Sequence, residues 1–200
     1  MRRNVIGLLF FLQPLVATAT AAPSGETELE ILPNTNVATI APVLRNAGML
    51  PETITVGDSD SLVVRSGDLA IILRPTVCRP DCAGLLMYTL FEGTSPASMM
   101  NSFNERTPPT AAYTTQGNTV LSRYLIADHG ITAGSFMVNL VVFDNTVSKW
   151  LQDRGRNMAQ SVGLADPAPE TNFSRETEAF LSEVMARPEL FSGQAQRQSY

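Results

Sequence analysis

The sequence predicts an α+β domain: one helix, four strands, a second helix, a two-stranded hairpin and a long third helix. Three observations carry this. Apolar runs separated by turn residues recur between Thr53 and Phe91. Ser95-Pro96 and Thr132 each stand where a helix would open. Phe136, Leu140, Phe143, Val147 and Trp150 recur at helical spacing, the strongest helical stripe in the chain.

Taken in order, Asn36 to Asn46 carries Val37, Ile40, Val43 and Leu44 at helix-like intervals. Pro42 allows two arrangements. Either the helix starts near Thr39 and Pro42 lies in its first turn, or it kinks there. Gly48 supplies the stop. Strands follow at Thr53–Val56, Leu62–Arg65, Leu69–Leu73 and Leu85–Phe91, with turns at Gly57–Asp60 and Ser66–Asp68. Ser95 as cap and Pro96 as first helical residue open a helix towards Arg106, which Pro108-Pro109 ends. Ala111–Thr114 and Val120–Ala127 form a hairpin around Gln116-Gly117-Asn118. The last helix, capped by Thr132, should run to about Leu151. Residues 153–173 read as a linker. A short helix capped by Ser174 follows, with Phe180, Leu181, Val184 and Met185 on its apolar side, and then a polar tail.

The amino terminus has the pattern of a secretory signal. Met1-Arg2-Arg3-Asn4 is basic, Val5–Val16 is uncharged and apolar, and Ala17–Ala22 is built of small residues. Cleavage after Ala21 fits best, because a cut after Ala22 would place Pro23 beside it. The competing expectation is an uncleaved membrane anchor, but the apolar run is short of the roughly 20 residues a span needs. The chain then divides into a signal (1–21), a loose segment (22–34), the α+β domain (35–152) and the linker, short helix and tail (153–200). The expected location is periplasmic or secreted, with no stable membrane insertion after cleavage.

Charge limits the partners. The whole chain carries a net charge of −5. Loss of Arg2 and Arg3 leaves 12 basic against 19 acidic residues. Nucleic acid binding draws on phosphate neutralisation, so it is not expected. Cys78 and Cys82, with three residues between them, read first as a disulfide closing a hairpin connection in an exported protein. A redox pair usually has two intervening residues. A metal site would need more ligands than one histidine, His129, helps to supply. No phosphate-cradling glycine loop and no Gly-x-Ser-x-Gly elbow occurs, so neither cofactor nor metal is expected. Asp128-His129 is the one pair inviting a hydrolase reading. Adjacent residues at a strand end should point apart, however, and the bland reading is a strand-to-helix connection. Met87, Met99, Met100, Met137 and Met158 suit either a core or an adaptable docking surface.

From about Asn36 to Leu151 the chain resembles the YbjN family, whose members are described as sensory transduction regulators. Leu44-Arg45-Asn46-Ala47-Gly48 resembles the end of the family's opening helix, and strands and the two cysteines follow it. Met100-Asn101-Ser102-Phe103-Asn104-Glu105-Arg106 is similar to its Asn-x-x-Asn helix with a following Arg. Asp128-His129-Gly130 then leads into the long helix. Phe103 stands where tryptophan is usual, Thr107-Pro108-Pro109 interrupts the run into the hairpin, and the Gln116-Gly117 turn lacks the usual acid. The resemblance implies an antiparallel sheet with helices packed on one side, like type III secretion chaperones. It implies a non-catalytic role and a protein partner or a second copy of the chain. Asn101, Asn104, Arg106, Asp128 and Gly130 are the candidate partner-contact or family-motif positions. Asn101, Asn104 and Arg106 could equally brace the neighbouring hairpin. The site such a protein would offer is an exposed sheet edge or an apolar groove.

Overall fold

The computed structural model describes residues 28–160, 182–184 and 186–187. The expected signal segment, residues 161–173 of the linker and the polar tail lie outside those residues. The elements are β1 (Ile31–Leu32), α1 (Val37–Asn46), β2 (Glu52–Val56), β3 (Ser59–Ser66), β4 (Leu69–Cys78) and β5 (Cys82–Phe91). They continue with α2 (Ala97–Arg106), β6 (Thr110–Thr115), β7 (Asn118–Ile126), β8 (Ile131–Thr132) and α3 (Ala133–Gln160). The six longer strands form one antiparallel sheet in the order β2-β3-β4-β5-β7-β6, and β1 pairs with β8. Helix α2 carries the chain over the sheet, so that β6 lands at the far edge and β7 returns between it and β5.

The architecture is the expected α+β one. Helices α1, α2 and α3 bury Leu44, Phe103 and the Phe136–Trp150 stripe against one sheet face, on residues such as Leu73, Leu85 and Met87. Alternation sends the intervening strand residues, among them Val63, Ile72 and Tyr88, to a second buried cluster on the other face. Strand β4 is therefore apolar without a break from Leu69 to Leu73, as a strand covered on both sides should be.

Several boundaries differ from the sequence reading, each for a traceable reason. Helix α1 begins at Val37, because the Asn36 carbonyl accepts from both Thr39 (2.9 Å) and Ile40 (3.0 Å). Pro42 therefore sits inside the helix, beyond its first turn, and offers no N–H to the Ala38 carbonyl. Pro96, not Ser95, occupies the cap of α2. Ser95 is buried, its hydroxyl 3.1 Å from that of Thr119. Strand β4 runs on through Pro75 to Cys78. Its pairing with β3 stops at Leu73, so the outer half has a neighbour on one side only, and proline is tolerated there. Helix α3 passes Leu151 and takes up residues 153–160 of the expected linker. Thr132 does cap it, accepting the Ser135 N–H at 3.1 Å. Residues 28–34, expected to be loose, are held by the β1–β8 pairing and by the Ala133 N–H donating to Glu30 at 2.8 Å.

Candidate functional site

Helix α3 has two apolar faces. One is the buried stripe. The other carries Val138, Val141 and Val142, which are 62%, 48% and 40% exposed. Three beta-branched residues on the solvent side of a helix are more than its packing requires. They line a groove of about 720 Å³ together with Val43 of α1 and Ala47, the residue after it. Met137 also lines it. Glu28, Leu29 and Glu30, all exposed, also line it. Gly134 lets this segment come close: a Cβ there would lie 2.9 Å from the Glu28 carbonyl oxygen.

The cysteine loop fixes the α1 side. Cys78 and Cys82 are bonded, with S–S 2.07 Å. The Asn36 side chain donates to the Asp81 carboxylate at 2.8 Å and accepts the Cys82 N–H at 2.9 Å. Thr35 donates through its hydroxyl to the carbonyls of Gly84 (2.6 Å) and Cys82 (3.1 Å). The start of α1 is thereby pinned to the β4–β5 connection. Asp81, read as a local turn former, instead bonds across the fold.

The residues singled out from the sequence fall in different places. Asn104 braces the hairpin: its Nδ2 donates to the Ala112 carbonyl at 2.9 Å and its Oδ1 accepts the Ala112 N–H at 2.6 Å. Strand β6 is an edge strand, so this one side chain occupies the groups that an added strand would seek at Ala112. Arg106 Nε donates to the Ser102 carbonyl at 3.0 Å, within its own helix, and Asn101 is exposed. Phe103, at the tryptophan position, meets the Trp150 ring edge-on with centroids 4.9 Å apart. Asp128 and His129 lie in the turn after β7 and do not point apart: His129 Nε2 is 3.8 Å from Asp128 Oδ2. Their side chains are 70% and 94% exposed, so neither is desolvated as a catalytic pair would be. Gly130 fits against β1, where a Cβ would stand 3.0 Å from the Leu32 carbonyl oxygen. Met87 and Met100 are core residues, Met99 is partly buried against the core, and Met158 has no described side chain.

Burial perturbs two tyrosines on the other sheet face and one arginine that bonds the groove residue Asn139. Burial raises the Tyr113 phenol to about 12, opposed by a hydrogen bond with Ser122. Burial raises Tyr88 as well, against the pull of Arg74. Desolvation lowers Arg123, whose guanidinium donates to Asn139 Oδ1 at 2.7 Å. Among the described residues no cluster of three His, Cys, Asp or Glu could hold a metal ion. Among them, too, no helix is long and apolar enough to cross a membrane. An apolar groove is among the sites the sequence suggests, but its residues are not, because the packing of α1 beside α3 decides which surface is left open. The valines at 138, 141 and 142 were a legible second stripe, three and four residues apart.

The fold and groove place the chain in a class: a helix-faced antiparallel sheet with an open apolar channel between two helices. The sequence matches no family model and no curated protein. Among solved structures it is similar to YbjN from E. coli, described as "a putative transcription regulator". The TM-score is 0.50 at 16% identity, covering 66% of this chain and 96% of that one. The fold is YbjN-like.

Proposed function

We propose that the protein is an exported, non-catalytic binding module, an adaptor or regulator, and that the groove between α1 and α3 receives a helical segment of another protein. The observation that carries this is the open valine wall in a groove that two exposed acidic residues, Glu28 and Glu30, also line. An amphipathic helix would set its apolar side on Val138, Val141 and Val142, and a basic residue at its end would face Glu28 and Glu30. The regulator description of the similar E. coli protein agrees with such a role. The acidic balance of this chain favours regulation through protein contact over direct nucleic acid binding.

The test is a photo-crosslinking residue at Val142 in the full chain, expressed in a bacterial host. The expected result is one dominant protein captured from the periplasmic extract, by a chain whose first residue is Ala22. Val138→Glu and Val141→Glu should each abolish the capture, and Glu28→Lys with Glu30→Lys should weaken it. Capture unchanged by these variants, or crosslinks only between copies of this chain, would overturn the groove as a client site. An unprocessed chain outside the periplasm would overturn export alone.

A further inference from the structure

The second face of the sheet offers another site, independent of the groove. Its cluster includes Ile54 and Val56 of β2, Ile72 of β4 and Tyr88 of β5, all buried. Of the described residues outside the sheet, one enters it: Val184, with no exposed surface. Two polar contacts flank that side chain. Glu183 Oε2 accepts the Gly57 N–H at 2.8 Å, in the turn between β2 and β3. Arg187 Nη2 donates to the Thr55 carbonyl at 3.0 Å, on β2 itself. Strand β2 is the outermost strand on its side of the sheet, so nothing else in the ladder pairs its outer groups.

Residues 182–184 are helical, and the Ala186 N–H donates to the Ser182 carbonyl at 3.1 Å and the Arg187 N–H to the Val184 carbonyl at 3.1 Å. This stretch places an acid, an aliphatic residue and an arginine at positions one, two and five of a short pattern. Glu183 and Arg187 are also 3.6 Å apart, a spacing that supports the helix. Each member meets one need of the β2 corner. The carboxylate meets an unpaired N–H, the valine fills an apolar hollow, and the guanidinium meets an unpaired carbonyl.

We propose that this corner is a binding site for a short amphipathic helical peptide of the pattern acid, aliphatic, two spacers, arginine, and that the chain occupies it with its own residues 182–187. The site is then a peptide receptor filled from within. Its specificity resides in one backbone donor, one backbone acceptor and the hollow between them.

The experiment uses full-length Val184→Asp, with hydrogen exchange over residues 53–57 and a labelled synthetic peptide of residues 176–188. The variant should exchange at Gly57 at least about tenfold faster than the parent. It should bind the peptide saturably, with the parent at least about tenfold weaker because its site is filled. A peptide carrying Arg187→Ala should lose about tenfold in affinity. Unchanged exchange, or equal peptide binding by variant and parent, overturns the proposal. Protection that rises with chain concentration would assign the occupant to a second copy and overturn occupation from within. Should Val184→Asp lose its far-ultraviolet spectrum, the full chain with Glu183→Ala and Arg187→Ala is read instead. Accelerated exchange at Gly57 supports the proposal there, and parental protection overturns it.

Discussion

Asn104 satisfies both backbone groups of Ala112 with a single amide, at an edge where no strand follows. Replacing it by alanine removes two hydrogen bonds, each worth about 1 kcal/mol net. Asn104→Ala should therefore lower stability by about 1–2 kcal/mol, read as a reduced urea midpoint at unchanged slope. Asn104→Asp keeps the acceptor alone and should fall between. The sequence left this residue open, as partner contact or brace, because its partner is fixed by how α2 lies on the hairpin. Ser95 and Asp81 teach the same point. Local rules made one a cap and the other a turn former. In the fold Thr119 claims the first and Asn36 the second, both distant in the chain. Side chains that choose between a near and a far partner are where sequence reasoning is blind.

The cysteine loop and the start of α1 behave as one unit, since Thr35 and Asn36 bond residues 81 to 84. Reducing the disulfide frees a short ring, which the loop-entropy estimate puts at roughly 2 kcal/mol. Dithiothreitol should lower stability by about that amount, read as a reduced denaturation midpoint at unchanged slope, and speed amide exchange at the beginning of α1 before that of the central strands. A reduced protein with an unchanged midpoint would show that the Asn36 and Thr35 bonds hold the loop without the bridge. Elements were largely legible because their signals are periodic. The α3 stripe appeared at its expected positions, and the apolar run Leu69–Leu73 became the inner half of β4. Ends were less legible. The extension of β4 through Pro75 depends on where β3 stops, and α3 continues past Leu151 into residues rich in polar side chains.

At the scale of the whole molecule, the two sheet faces differ in chemistry. Three helices cover one with an apolar core. The other buries two phenols, Tyr88 and Tyr113, within its cluster. Burial raises both, Tyr113 to about 12, so the fold favours their neutral forms. For a group raised in the folded state, the stabilisation is fully present below the unfolded value near 10 and is lost as pH rises through about 12. Absorbance at 295 nm should show part of the tyrosine signal titrating late, together with loss of far-ultraviolet dichroism. Complete titration near pH 10 with the spectrum intact would contradict the buried placement. The overall class was legible from element order, but the insertion of β7 between β5 and β6 was not, since no local signal marks which strands become neighbours.

The two borders of the sheet have a joint consequence. Asn104 interrupts one and Arg187 the other, each by occupying main-chain groups at a single point. A border broken in this way is a poor template for a foreign chain to lengthen. Molecules crowded at high concentration would then meet through their helices and remain discrete, where uninterrupted borders would let them stack into fibrils.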